Sequence, residues 1–216
     1  MPKHLDRAIL LEACVENADQ ALKAATLGAN QIELCSALHL DGLTPDLNDF
    51  LVCRDKLTIP IKVMIRPKPG DFTVDEDTLM QMEKEIDLFK ENGADHFVFG
   101  ITDKNGELDL PSIRQLLESC QDLHVTIHKA IDTCQDPVKE AKKLMGLKNV
   151  SAILTSGGKS TAIEGAATIS EMIREVGENI TVIAAGSITN SNLHFIHELI
   201  GADYYHGRRI VGPLID

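Results

Sequence analysis

The chain has 216 residues, and no stretch of it is long and apolar enough to cross a bilayer as a helix. Its N-terminal MPKHLDRA leads straight into a strand-like segment, with no apolar leader region. The expectation is a cytoplasmic protein with no membrane partner. Basic residues are outnumbered: 21 lysines and arginines face 33 aspartates and glutamates, for a net charge of −12. There is neither a basic stripe nor an interleaving of basic and aromatic residues, which argues against a nucleic-acid partner. No CxxC pair and no Cys/His spacing of the zinc type occurs. The five cysteines, Cys14, Cys35, Cys53, Cys120 and Cys134, are an odd and scattered set. That pattern fits reduced thiols better than a disulfide framework. The chain also lacks GxGxxG and GxxxxGK[ST], so the usual dinucleotide and P-loop signatures are missing.

What is present is a recurring unit. Eight short apolar segments each end in glycine, charged or polar residues, and helix-like stretches mostly separate them. They are LLEACVE, QIELCS, IKVMIRPKPGD, HFVFGITD, HVTIHKAID, AILTSGG, TVIAAGS and DYYHGRR. Eight strand–helix units predict a compact α/β chain, a closed (β/α)8 barrel of TIM type in one domain over 1–216. The phrase Gly-Ala-Asn/Asp recurs at Gly28, Gly93 and Gly201, each time closing a helix before a strand. An open doubly wound sheet is the alternative, and the even spacing favours closure.

The boundaries follow local chemistry. Strands are expected at 9–12, 31–34, 61–66, 96–99, 124–128, 152–155, 181–184 and 203–206. Asn17, Asp46, Asp136 and Asn190 are placed to open helices. A helix from Asp75 carries Leu79, Met82, Ile86 and Phe89 at helical spacing. Pro111 suits the first turn of the fourth helix, and Asp103–Gly106 reads as a turn. Only ten residues follow the last strand, so the eighth helix is shortened or missing.

Candidate chemistry gathers at the strand ends. Glu12 and Glu33 close the first two strands, where a buried carboxylate needs a donor or a cation. Each either meets a ligand or forms a buried salt bridge supporting the barrel rim. Arg66 offers a planar fork for an anion, or pairs with Glu12 or Glu33. His128 can exchange a proton near neutral pH, with Asp132 placed to orient it or to bind a ligand hydroxyl. These make Glu12, His128 and Asp132 the candidate acid/base set. Ser156, Gly157 and Gly158 after the sixth strand, with Gly186 and Ser187 after the seventh, can turn backbone amides toward an anion, and Arg208 could complete that site. Cys14 and Cys35 follow their strands at matching depth, and two soft thiolates suit Cu(I). The same cysteines also read as small buried hydrophobes.

These segments resemble the CutC copper homeostasis protein family over nearly the whole chain. The matching runs are LEACVENADQAL, GANQIELCSAL, DGLTP, VMIRPKPGDF, FVFGI, HKAID, ILTSGG, IAAGSI and YYHGRR. Where the family usually reads close to FHRAFD, this chain has IHKAID, with Lys129 in place of arginine. The resemblance implies a cytoplasmic barrel, often a homodimer, taking part in copper homeostasis. It carries Glu12, Arg66, His128 and Asp132 over as polar-face residues. Two functions remain open: copper handling through cysteine thiolates, or an enzyme acting on a small anionic or phosphorylated metabolite.

Overall fold

The computed structural model describes residues 8–214. The N-terminal seven residues, the last two, and with them the outer limits of the 1–216 domain lie outside the described residues. Eight strands, β1 (Leu10–Val15), β2 (Gln31–Leu34), β3 (Ile61–Met64), β4 (His96–Phe99), β5 (His124–Ile127), β6 (Val150–Thr155), β7 (Thr181–Ala184) and β8 (Tyr204–Gly207), follow one another in chain order. All pair in parallel, and β8 closes against β1. Between them run α1 (Ala18–Thr26), α2 (Leu47–Lys56), α3 (Glu76–Glu91), α4 (Leu110–Cys120), α5 (Pro137–Leu144), α6 (Ala166–Val176) and α7 (Leu193–Ile200). No helix follows β8 among the described residues, and none of the described helices is long and apolar enough to cross a membrane.

The helices start where short polar side chains satisfy orphan amides. Asn17, Asp46, Asp75, Asp109 and Asp136 each accept a backbone N–H from the first turn of α1 to α5. Asn190 does not cap α7. Asn192 stands at that start, its Oδ1 accepting from the Thr189 amide at 2.8 Å. The Asn190 amide instead donates to the Arg209 carbonyl, tying the loop to the end of β8.

Several strand bounds differ from the sequence expectation by one to three residues, and among the C-terminal ends the largest differences are at β1 and β3. β1 runs past Glu12 to Val15, because its pairing with β2 continues through Val15 and Leu34. β3 stops at Met64, and the Arg66 amide donates to Thr44 Oγ1 at 2.8 Å instead of extending the sheet.

Strand alternation splits the core in two. Ala13, Ile32, Val63, Phe97, Val125, Ile153, Val182 and Tyr205 face the helices and join one large cluster. Burying each large apolar side chain there contributes roughly 1.5–3 kcal/mol. The alternate residues point into the barrel. There the apolar material falls into two small groups, Cys14, Cys35, Leu38, Met64 and Val98 on one side, and Ala152, Leu154, Ile183 and Ala185 on the other. The rest of the interior is polar.

Candidate functional site at the mouth of the barrel

Glu12 lies inside β1 and is fully buried. Its Oε2 is 2.7 Å from Lys62 Nζ and accepts from Gln31 Nε2 at 2.8 Å, while Oε1 is 2.8 Å from His206 Nδ1. Lys62 is two strands away, so this ion pair crosses the barrel interior. The carboxylate therefore pairs with Lys62 and His206, and the pairing of Arg66 with Glu12 or Glu33 suggested by the sequence is not formed. Burial would raise the Glu12 carboxyl, but the Lys62 ammonium and His206 outweigh it and hold it down at about 2.

Closing β8 onto β1 brings His206 opposite Glu12 in the register. Its other nitrogen, Nε2, is 3.7 Å from Glu33 Oε2. Burial opposes a charge on this ring, yet Glu33, Cys14 and Glu12 raise its pKa well above the ordinary histidine value. Glu33 is pushed up to about 8 by burial, with the charges of Cys14 and Glu12 adding to the shift and His206 opposing it. Its Oε1 is buried with no protein partner. An orphaned acceptor of this kind marks a place where a proton or a ligand completes the bonding.

The two cysteines converge here. Ligand atoms of Cys14, Glu33 and Cys35 all lie within 4.8 Å of one another, and Cys35 Sγ is 3.6 Å from Glu33 Oε2. The neighbouring Cys35 thiol holds Cys14 well below the ordinary thiol value, with His206 adding to the effect against burial. Cys35 moves the opposite way, raised by Cys14 and by burial. These shifts favour negative charge on Glu12 and Cys14, protons on Glu33 and Cys35, and a positive ring at His206. With the sulfurs no more than 4.8 Å apart, two metal–thiolate bonds of about 2.3 Å each would be long enough to reach one soft ion from both.

Arg66 is buried, and its fork is engaged by the chain itself. Nη1 donates to the carbonyls of Leu40 and Gly42 at 3.0 and 3.1 Å, and Nη2 to that of Gly70 at 2.8 Å. The guanidinium also lies 5.0 Å from the centre of the Phe72 ring. It thereby ties the loops after β2 and β3 together.

His128 accepts the Ala130 amide on Nδ1 at 3.1 Å, which puts its proton on Nε2. Burial, then the nearby Arg66 charge, lowers it to about 3, so the ring is neutral. Asp132 does not orient it. Asp132 reaches instead to the loop after β6, where Gly157 and Gly158 are consecutive left-handed residues with φ of 70° and 69°. There its Oδ2 accepts the Ser156 amide at 2.8 Å, and its Oδ1 accepts the Gly158 amide at 2.9 Å and the Thr155 hydroxyl at 2.5 Å. The Gly157 amide donates to Thr155 Oγ1 at 2.9 Å. The three amides of this loop that the sequence offered to an anion thus already have internal partners.

Above the cysteines opens a cavity of about 700 Å³, with Cys14, Glu33, Cys35 and His206 in its lining. Arg66, His128, Asp132, Ser156, Gly158, Gly186, Ser187 and Arg208 line it too. Gly157 is close by but outside the lining. Gly186 has φ of 106°, and a Cβ there would come within 2.8 Å of the Ala162 nitrogen. Only glycine lets that loop pass. Sequence reasoning missed Lys62 and His206. A lysine within the apolar run IKVMI was the signal for the first; the pairing of first and last strands that closure demands was the signal for the second.

The model of the CutC family matches residues 9–211. The chain is 38% identical over 197 residues to a human protein named copper homeostasis protein cutC homolog, covering 91% of this chain and 72% of that one. It is 35% identical over 196 residues to a CutC family protein of Xanthomonas campestris pv. campestris, covering 91% and 81%. Among solved structures, a copper homeostasis protein CutC from Streptococcus agalactiae superposes with a TM-score of 0.88 at 30% identity, over 94% of this chain and 99% of that one.

Proposed function

The chain belongs to the CutC family, and from that premise we propose that it is a copper-handling protein that takes Cu(I) between Cys14 and Cys35. The observation that carries this reading is the meeting of the two sulfurs with Glu33 within 4.8 Å, beneath an open cavity. Thiolates are soft ligands and suit Cu(I). Ligation requires deprotonated sulfur, and the depressed Cys14 thiol supports that demand. All five cysteines are free and buried, which supports a reducing compartment, the cytoplasm.

The competing reading, acid/base chemistry on a small anionic metabolite, relied on Glu12, His128 and Asp132. Both oxygens of Glu12 and of Asp132 are engaged by neighbouring side chains and amides. That leaves the thiol pair as the better-supported centre. Anaerobic competition titration with a chromophoric Cu(I) chelator tests it in wild type, C14A and C35A. One Cu(I) per chain, bound more tightly than by a millimolar thiol buffer (a Kd far below ~1 μM) and lost in either variant, is the expected result. Weak binding that neither substitution changes would remove the thiol site.

A further inference from the structure

Cu(I) held by two sulfurs needs little more room than the gap between them, yet the cavity above Cys14 and Cys35 measures about 700 Å³. That is the size of sites that hold small organic molecules. Its charge also has the wrong sign for a bare cation. Arg66, Lys159, Arg208 and Arg209 line it, and among the described residues none of the four has a carboxylate within ion-pair distance. Arg66 and Arg208 donate to backbone carbonyls, which satisfy hydrogen bonds without cancelling charge. Two of the acidic residues in the lining are already occupied: Asp132 by amides and by Lys129 at 3.9 Å, Glu33 by His206. Asp41 and the charge on Cys14 are left to oppose the four. A cationic cavity on a chain of net charge −12 is a local reversal of sign, and a cleft focuses such a field on whatever enters.

We propose that copper enters this cavity as an anionic complex, with Cu(I) carried by small thiols that bear carboxylates, and not as the bare ion. The proposal rests on the copper reading above and names the form in which that site receives its cargo. The exposed Lys159 and Arg209 hold the carboxylates at the mouth while the sulfurs below take the metal. Two Cu–S bonds to the small thiols break, and two to Cys14 and Cys35 form. One departing small thiol takes the proton of Cys35, and the other leaves as a thiolate in exchange for the Cys14 thiolate. Copper stays Cu(I), no electrons change hands, and the single negative charge of the copper–dithiolate core passes from carrier to protein.

Anaerobic stopped-flow transfer tests the idea with two donors of opposite charge, Cu(I)–glutathione and Cu(I)–cysteamine. Wild type is compared with the surface double variant Lys159→Glu/Arg209→Glu, whose fold is checked by circular dichroism. A chromophoric chelator reads the copper bound at completion. Comparing the glutathione-to-cysteamine rate ratio between the two proteins cancels the intrinsic lability of the donors. That ratio is expected to fall by about 10-fold or more in the double variant at low ionic strength, and the difference to shrink as salt screens it. Equal ratios in both proteins, with copper bound at completion, would overturn this proposal and leave the thiol site standing. No copper bound to wild type from either donor removes the thiol site, and this proposal with it. A salt titration of wild type alone, comparing the two donors, gives a second readout that needs no variant.

Discussion

Where β1, β2, β3 and β8 line the barrel, the interior holds Glu12, Cys14, Glu33, Lys62 and His206, bonded or packed to one another. Where β6 and β7 face them, it holds Ala152, Leu154, Ile183 and Ala185, an apolar patch. The helix-facing side of these strands is mainly apolar, so the contrast lies on the inside. One wall packs and the other carries chemistry. A buried charge network gives little net stability over an apolar replacement of similar shape, so its presence on one wall alone points to a use other than holding the barrel together.

The sharpest way to break the contrast is Lys62→Met. It strands the Glu12 carboxylate with half its cationic support gone, and is expected to cost about 3–5 kcal/mol in urea unfolding. The double variant Lys62→Met/Glu12→Leu should recover much of that loss. If it remains as unstable as the single variant, the network does stabilise the barrel and the two walls are not opposed in this sense. Ile183→Ala tests the other wall. Ile183 is 1% exposed, and the cavity left behind is expected to cost about 3 kcal/mol, with Cu(I) affinity unchanged. A marked fall in affinity would show that the apolar wall also shapes the metal site.

A third test concerns β4 and the position just after β5, between the two walls, where His96 and His128 are polar but uncharged. Burial lowers His96 and His128 to about 3 from 6.5, with the Lys62 charge adding to it at His96 and the Arg66 charge at His128. Both stay neutral in the fold and take protons once unfolded. The unfolded chain is then the better proton binder, so stability is intact above pH 6.5 and falls as pH drops toward 3. The slope is up to about 1.4 kcal/mol per pH unit for each ring. Urea midpoints between pH 7 and pH 4 for wild type, His96→Gln and His128→Gln measure it. Identical slopes in all three proteins would mean that these rings titrate normally.

The barrel was legible because its signals are local. Period-two apolar runs, Asx residues at helix starts and Gly-Ala-Asn/Asp before strands each act within a few residues. Cys14 and Cys35 could be matched for the same reason, since each sits two positions beyond a glutamate on adjacent strands. What the sequence left unread depends on contacts across the barrel. Asp132 and Gly158 are 26 positions apart and meet through a carboxylate–amide bond, which no motif displays. Arg66 looked like an anion binder because its backbone-carbonyl partners carry no residue signature. Lys62 was overlooked because an apolar strand context hides a single charge that points inward.

The bond between Glu12 and His206 joins positions 194 apart. A chain still emerging from the ribosome carries both cysteines, Glu12 and Lys62 early, but cannot complete the charge arrangement around Cys14 until its last strand is made and docked. The final four-residue strand therefore works as a completeness check. A chain truncated before β8 has the thiols but lacks the imidazole beside them, so the site reaches its finished form only once β8 is made and docked.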